Sequence, residues 1–397
     1  MRTERQLNFV DLKISSLIPS NDPLKVLFET VDFSFIYDLL KDKYTNEGPK
    51  GYDPQALFKA LLLLYLGFAS SERDLARRLC FDGRLAFLCG FSYGETPKHN
   101  TFHYFRNRIG KEIFHEILIN LIAQCLCLVK GKNLNLSTDS SHIEAFPKDT
   151  DAKWGYKTAE FSFFGYKIHL QVTTTELPIT ASIKITEGNE WDGKFLPPLT
   201  ENAKEIFGHT EKSIKAVIAD AGYDSTDNAS YLIKESILPY IAMNPRGREN
   251  PIHRGDITIS TDGKFLCKAG VELCYWGKEK TRKRFKFRCG HYKEKSMDCL
   301  FKNECWKGKY GPTFYLKEDH EAQDILKTLR ATRSFKRIYK KTTTVERFFS
   351  ILKGNHSLEA LRFSAIKEVS IHVFMSICAY LSRLIAGMKL KIGLLPI

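Results

Sequence analysis

The sequence lacks an uninterrupted apolar run of about 20 residues, the length that a membrane-spanning helix needs. Its longest apolar run, residues 57–69, contains Lys59, and the apolar stretch that starts at Ile371 is interrupted by Arg383. Both stretches therefore predict buried helices. The first residues also lack the apolar core of a secretion signal, so we expect a cytoplasmic protein without a membrane partner.

The ten cysteines include no C-x2-C pair, the tight spacing that marks many zinc sites. Without a secretion signal, they indicate reduced thiols or metal ligands rather than a disulfide scaffold. The compact set Cys267, Cys289, Cys299 and Cys305 could bind a structural Zn²⁺, with Cys274 and His291 as spare ligands. Their wide spacings, C-x21-C, C-x9-C and C-x5-C, leave partly buried free thiols as the alternative.

The chain has neither an internal repeat nor a low-complexity tract, and its charge is not balanced. Its 397 residues carry 60 basic and 46 acidic side chains, a net charge of +14. That excess favours a polyanionic partner, with nucleic acid first, over a small neutral substrate. The length and the 43% apolar content allow two or three domains with a substantial core.

Residues 53–130 repeat apolar side chains at intervals of three and four, which predicts an all-helical N-terminal region. Either Ser70 or Ser71 is suited to cap one of its helices. Four arginines in this region could contact DNA if a helix enters a groove: Arg77, Arg78, Arg106 and Arg108. A helical bundle whose arginines only face solvent explains the same pattern equally well.

After Gly131 the pattern changes to short β-branched and aromatic runs bounded by turn residues. We predict strands over residues 133–141, 166–176, 178–187, 214–225 and 237–245, with a hairpin near Pro178 and helices over 195–208 and 228–236. Strands that come first and then alternate with helices indicate a mixed α/β sheet, and an α+β protein overall.

The predicted domains are a helical DNA-binding region over residues 1–130 and the first part of a catalytic core over 131–248. A Cys-rich basic insertion follows over 249–315, and a helical part of the core over 316–397. Two runs mix basic and aromatic residues, 278–288 and 330–341, and could contact phosphates and bases. A solvated charged face is the alternative for both runs.

Three acids are candidates for metal-dependent chemistry. Asp139 and Asp220 each follow an apolar strand, at the sheet edge where ligand sites tend to form. A turn-capping role is the common alternative for each of them. Glu346, Phe349 and Lys353 share a helix face, although an acid and a lysine so spaced are often only a surface pair. His142, His169 and Asp224 could support the acids, but structural roles are the simpler interpretation.

Several ordered motifs resemble the DDE transposases of bacterial insertion sequences. They are STDSSHIEA from Ser137, FFGYKIHL from Phe163, IADAGYDS from Ile218 and YKKTTTVERFFSILK from Tyr339. The N-terminal blocks GYDPQALFKALLL, SERDLA and PKHNTFHYFRNRIG resemble the helical domain of these enzymes. Tyr339, Glu346 and Lys353 fit the family's Y-x2-R-x3-E-x6-K signature, in which Thr342 replaces the arginine.

The resemblance implies a ribonuclease-H-like core in which Asp139, Asp220 and Glu346 bind two Mg²⁺ or Mn²⁺ ions. Asp139 would bridge the two ions. Tyr339 and Lys353 would contact DNA phosphates, and Lys340, Lys341 or Arg347 could replace the arginine missing at Thr342. The implied partners are the terminal inverted repeats of the element and its target DNA, bound by a homodimer at the nucleoid.

The expected activity is metal-dependent cleavage at the element ends followed by strand transfer into target DNA. Two metal ions about 3.5–4 Å apart can activate a water or a 3′-hydroxyl and stabilise the leaving oxygen. No covalent protein nucleophile is then needed. Two alternatives stay open: an inactive DNA-binding protein derived from a transposase, and a metal-dependent nuclease that cuts DNA without joining it.

Overall fold

The computed structural model describes residues 7–44, 51–156, 161–244, 257–259, 265–293, 299–306, 311–317, 322, 325–326, 329–330 and 332–397. The start of the predicted insertion, residues 249–256, lies outside these ranges. The chain divides into two compact units. The first unit contains residues 1–215 and 341–397, and the second contains residues 216–340.

The N-terminal part of the first unit is helical, as predicted. Its helices are α1 (Phe9–Leu17), α2 (Pro23–Thr30), α3 (Phe35–Leu40), α4 (Pro54–Tyr65), α5 (Glu72–Phe81), α6 (Gly83–Cys89) and α7 (His99–Leu128). Ser71 caps α5, because its hydroxyl accepts the Asp74 N–H at 3.2 Å. Helix α7 is kinked at Gly110, whose φ of +75° is a conformation that glycine adopts without strain.

Four strands of the first unit form the antiparallel part of the sheet. They are β1 (Asn133–Glu144), β2 (Lys153–Tyr156), β3 (Ser162–Thr173) and β4 (Thr180–Glu187). Strand β3 pairs with the other three, and β3 and β4 form the hairpin predicted near Pro178. The sheet continues beyond β1 with a fifth strand that starts at Ser213, whose N–H donates to the Lys132 carbonyl at 2.8 Å.

Three helices of the first unit cover this sheet and complete the helical core. Helix α8 (Leu196–Gly208) packs on β3 and β4 through Leu196, Leu199 and Ala203. The other two, numbered here after three helices of the second unit, are α12 (Thr343–Asn355) and α13 (Ile366–Leu390). Helix α12 packs against β1 and β3.

Helix α13 is the apolar C-terminal stretch identified in the sequence. It is long and apolar enough to cross a membrane, but 94% of its most apolar window is buried within the protein. It packs against α2, α4 and α7, and Tyr380 donates its hydroxyl proton to the Pro178 carbonyl at 2.9 Å. The prediction of a buried core helix is confirmed, and burial on all sides explains its nearly uniform apolar composition.

The second unit contains the remainder of β5 (Ser213–Ala219), followed by α9 (Thr226–Lys234) and β6 (Leu238–Ile241). Strands β5 and β6 are parallel, and α9 forms the crossover connection that parallel strands need. Helix α11 (Arg333–Tyr339) packs on β6, and its Phe335 is buried with Ala216, Ile218 and Tyr240. With strand order β2-β3-β1-β5-β6 and β4 beside β3, the sheet is the mixed α/β core expected.

The described part of the insertion forms small β structures in the second unit. Strands β7 (Thr258–Ile259) and β8 (Phe265–Leu266) pair with each other, while β9 (Leu273–Glu279), β10 (Arg284–Cys289) and β11 (Thr313–Lys317) form an antiparallel sheet. A short helix, α10, spans Lys302–Cys305. The core of this region is small, since its buried cluster consists of Cys267, Leu273, Phe287, Cys289 and Phe314.

Arg106 does not have the exposed position that a DNA contact needs. Its side chain is only 5% exposed and forms ion pairs with Glu72 and with Glu368, the latter at 3.2 Å. The guanidinium also lies 4.1 Å from the centre of the Phe363 ring. The prediction that Arg106 contacts DNA is therefore wrong, because helical spacing alone does not reveal which arginine meets two carboxylates from other helices.

The other three arginines proposed to contact DNA, Arg77, Arg78 and Arg108, are exposed. Arg77 and Arg78 both pair with Asp74 on α5, at 2.7 and 3.1 Å. Arg108 lies over the Tyr44 ring, 5.0 Å from its centre. A DNA contact by Arg108 stays a prediction.

Replacing Arg106 by alanine is expected to destabilise the protein by about 3 kcal/mol, because two mostly buried carboxylates lose their partner. Thermal and urea unfolding of Arg106→Ala would measure this loss. The matched control is Arg77→Ala, whose side chain is 69% exposed and which should change stability by less than about 0.5 kcal/mol. A folded Arg106→Ala of unchanged stability but weakened DNA binding would restore the DNA-contact interpretation.

Candidate active site

Asp139 lies within β1, opposite Leu170 of β3, and is half-buried. The sequence predicted that it would end its strand, which is wrong: pairing with β3 continues for five more residues, to Glu144 opposite Gly165. A Cβ atom on Gly165 would lie 2.0 Å from the Ile143 carbonyl oxygen. The missing side chain at Gly165 therefore permits the close approach that extends the strand past Asp139.

The face of β1 that carries Asp139 is the face toward the start of α12. Side chains alternate along a strand, so Ser137 and Asp139 share one face. The Ser137 hydroxyl donates to the Thr342 carbonyl at 3.2 Å, directly before α12 begins at Thr343. Glu346 lies in the first turn of this helix and is exposed. The first unit thus brings the helix that bears Glu346 to the Asp139 face of the sheet.

Local contacts orient the Asp139 carboxylate. Its Oδ1 atom accepts the Ser140 N–H at 2.8 Å. Glu346 lies in the first turn of α12, where the helix dipole favours a negative charge. One carboxylate is therefore held by a rigid strand and the other by the end of a helix packed on that strand.

Asp220 belongs to the second unit and directly follows the last residue of β5, as predicted. It is exposed, and its Oδ1 atom accepts the Gly222 N–H at 2.9 Å, which caps the 3-10 turn Ala221–Tyr223. The turn-capping alternative is thus observed for this residue. Capping engages one carboxylate oxygen and is compatible with a role in metal binding.

Asp224, four residues later, has a structural role. Its carboxylate accepts the Asn244 N–H at 2.8 Å and pairs with Arg330 at 2.7 Å. Arg330 also donates to the carbonyls of Ile241 and Ala242, at 2.9 and 3.0 Å. Arg330 begins the run 330–341, which the sequence offers as a possible DNA contact; in the structure it joins the end of β6 to Asp224 inside the second unit.

Lys353 forms an ion pair at 2.8 Å with Glu359, which lies beyond the end of α12, so its observed partner differs from the Glu346 of the expected surface pair. Phe349, on the same helix face, is buried and anchors α12 to the core. Because Glu359 is 61% exposed, the pair contributes little to stability and can exchange its partner for a phosphate.

The other predicted DNA contacts lie on or near the junction of α11 and α12. The Tyr339 ring stacks on Phe335, with 5.5 Å between centroids and planes 8° apart, and it is half-buried. Lys340, Lys341 and Arg347 are exposed. These three charges have the accessibility that phosphate contacts need, whereas Tyr339 is partly used in packing.

In the basic run 278–288, several charges are engaged inside the second unit. Arg284 pairs with Glu279 at 2.6 Å and lies 3.7 Å from the centre of the Tyr315 ring. Arg288 lies 4.0 Å from the centre of the Trp276 ring. The alternation of basic and aromatic residues in this run therefore serves packing between neighbouring strands.

The two histidines near Asp139 have structural surroundings. His169 is completely buried, with Nε2 2.9 Å from the Thr186 hydroxyl and its ring against Phe195. Burial lowers the pKa of His169 to about 4, so the ring is neutral at pH 7. His142 packs against the rings of Phe161 and Phe163.

Two acids that no sequence motif singles out, Asp149 and Asp151, hold the first unit together. Asp149 accepts the Ala365 N–H and Asp151 accepts the Ile366 N–H, both at 3.0 Å. They therefore bind the start of α13, where the backbone at Ala365 has a φ of +72°. Their short spacing in DTDAK gave a turn signal, but it contained no information about the distant helix that they contact.

Within the ranges that the structure describes, no group of three or more histidine, cysteine, aspartate or glutamate side chains has the arrangement of a metal site. The donor chemistry of Asp139, Asp220 and Glu346 nevertheless fits Mg²⁺ or Mn²⁺, because both ions prefer carboxylate oxygens.

Comparison with known proteins identifies two matching family models. Residues 132–382 match the model described as a transposase DDE domain, and residues 12–108 match a second model, transposase domain DUF772. No curated protein matches the sequence. A solved piggyBac transposase synaptic complex with hairpin DNA aligns over 93% of this chain and 82% of that one, at 14% identity. The TM-score of this alignment is 0.29.

The DDE model alone covers well over half of the chain, and the N-terminal model covers most of the helical region that precedes it. The protein therefore belongs to the DDE transposases of the insertion-sequence type and is a DNA transposase.

Proposed function

We propose that this transposase cuts DNA at the ends of an insertion sequence and transfers the cut strands into target DNA, using Asp139, Asp220 and Glu346. The observation that carries the proposal is the contact between Ser137 and Thr342, which joins the Asp139 face of β1 to the helix bearing Glu346. Asp220 is included because it is exposed and directly follows the carboxyl end of β5.

These three carboxylates are the proposed ligands of two divalent metal ions, Mg²⁺ or Mn²⁺, with Asp139 shared between them. When bound, such a pair of ions activates the attacking oxygen and stabilises the leaving oxygen of a phosphodiester. The protein's contribution is to place the carboxylates. The Ser140 N–H orients Asp139, the Gly222 N–H orients Asp220, and the packing of α12 positions Glu346.

The proposed DNA contacts are the exposed charges near Glu346. Lys340 and Lys341 directly precede α12, and Arg347 follows Glu346. Arginine and lysine at these positions would neutralise phosphates of the bound strand and release counterions. Lys353 joins them if DNA displaces Glu359, and Tyr339 and Arg108 are further contacts in the proposal. These residues would position the DNA without reading its sequence.

The three acids are tested one at a time with Asp139→Asn, Asp220→Asn and Glu346→Gln in the full chain. Cleavage of labelled element-end DNA in Mg²⁺ should fall by more than about a hundredfold in each, since even outer-shell partners of metal ligands typically cost 10- to 100-fold. The new asparagines can still accept the Ser140 and Gly222 N–H groups, so the fold should be retained.

The matched control is Asp227→Asn, which neutralises an acid of the second unit whose side chain is 81% exposed. It should cleave like the unmodified chain. Unchanged cleavage by Asp139→Asn would refute the proposed ligands. Cleavage without joined products would indicate a nuclease, and DNA binding without cleavage by the unmodified chain would indicate an inactive derivative.

The basic contacts are tested by salt dependence. The double variant Lys340→Ala/Lys341→Ala should lower the slope of log affinity against log salt by about 2, since each phosphate contact contributes about 0.9. Fluorescence anisotropy with labelled end DNA at several salt concentrations measures it. The exposed pair Lys130 and Lys132, replaced in the same way, is the control and should leave the slope unchanged. If both double variants have the same slope of log affinity against log salt, Lys340 and Lys341 do not contact DNA phosphates.

We also propose that two copies act together, because joining two element ends generally requires two sets of catalytic acids. Size-exclusion chromatography with light scattering should show a dimer when end DNA is added to Asp139→Asn, which binds but does not cut. A complex that joins ends while retaining the mass of one chain would contradict the dimer.

A further inference from the structure

Four of the five cysteines in the insertion are organised differently from the other cysteines of the chain. Cys89, Cys125 and Cys378 are buried on helices of the first unit as ordinary core residues. In the second unit, Cys267 and Cys289 belong to the buried cluster, and Cys299 and Cys305 are half-buried. All ten cysteines are free thiols.

Cys267 and Cys289 lie on two turns that touch. In the first turn, the Gly270 N–H donates to the Cys267 carbonyl at 2.8 Å, and the Cys267 N–H donates to the Val271 carbonyl at 2.9 Å. Gly270 has a φ of +74°, which suits glycine and closes the turn tightly. In the second turn, a Cβ on Gly290 would lie only 2.4 Å from the Glu272 carbonyl. The turn at Cys289 therefore packs directly on the chain that follows the turn at Cys267.

The segment with Cys299 and Cys305 is attached to the same place by Lys268. The Lys268 ammonium pairs with Glu304 at 2.6 Å and lies 4.3 Å from the centre of the Phe301 ring. Since Lys268 follows Cys267 and Glu304 precedes Cys305, these contacts bring the short helix α10 to the first turn. The segments around Cys267, around Cys289 and from Cys299 to Cys305 are therefore close to one another in the second unit.

The thiols also influence each other electrostatically. Burial raises the pKa of Cys289, and the thiols of Cys267, Cys299 and Cys305 raise it further. The His291 N–H donates to the Cys289 sulfur, which opposes this shift. An amide that donates to a cysteine sulfur is also the kind of outer contact that orients a metal-binding thiolate.

We propose that Cys267, Cys289, Cys299 and Cys305 bind one structural Zn²⁺ ion. Four thiolates are the donor set of closed, tetrahedral zinc sites, which have no open position for catalysis. The small buried cluster of the insertion gives a physical reason, since metal binding contributes folding free energy where a core is small. Within the described ranges the four thiols are not gathered into a metal-binding group. Binding would draw each sulfur to about 2.3 Å from the ion and release the thiol protons.

The test uses the full chain, purified under reducing conditions without chelators and reconstituted with Zn²⁺. Mass spectrometry of metals should find about one zinc per chain. Replacing zinc by Co²⁺ should give intense thiolate-to-cobalt absorption and the visible bands of tetrahedral coordination. This spectrum is independent of transposition, so the zinc proposal and the proposed catalytic acids can fail separately.

Cys267→Ser and Cys305→Ser should each weaken zinc binding by at least about tenfold and alter the cobalt spectrum. The matched control is Cys127→Ser, an exposed cysteine of the first unit, which should retain both zinc binding and the cobalt spectrum. If the serine variants do not fold, the cobalt spectrum of the unmodified chain still reports the thiolate ligands. Absence of zinc after reconstitution, or a cobalt spectrum without thiolate bands, would overturn the proposal.

Discussion

The pairing of β1 with β3 is the interaction on which the first unit depends. It runs from Leu136 opposite Thr173 to Glu144 opposite Gly165, and β3 then carries β2 and β4 on its other side. Because the register of a strand decides which side chains face each side, a shift of one residue would turn Asp139 away from α12. The alternation that buries Leu136 against the core therefore also fixes the face of the catalytic candidate.

Contacts between the helices stabilise the first unit away from the β1–β3 pairing. Helix α13 is buried along most of its length, and Asp149 and Asp151 hold its first residues. Arg106 ties α7 to α5 and α13 through two carboxylates in a largely buried position. Groups that resemble functional residues in the sequence, an arginine in a basic helix and two acids after a strand, thus serve to hold the helices together. Their partners on distant helices, rather than their chemistry, distinguish them from the candidate site.

Much of the fold could be predicted because its signals are local. Apolar periodicity identified the N-terminal helices and the buried α13, and β-branched runs between turn residues identified β1, β3, β4, β5 and β6. Capping by Ser71 and the hairpin near Pro178 also follow from neighbouring residues. The length of β1 could not be predicted in this way. It depends on Gly165, a residue of the partner strand about 20 positions away, whose close approach sustains pairing beyond Asp139.

The sequence by itself determined the family, the three candidate acids and the four cysteines proposed as zinc ligands, because motif spacing and residue chemistry are properties of the chain. Tertiary structure alone decided which charged side chains are exposed and can contact DNA. It placed Arg106 in a buried ion pair and Arg330 on Asp224, and it left Lys340, Lys341 and Arg347 exposed. The physical reason is that the cost of burying a charge depends on partners brought from distant segments, and those partners meet only when the chain is folded.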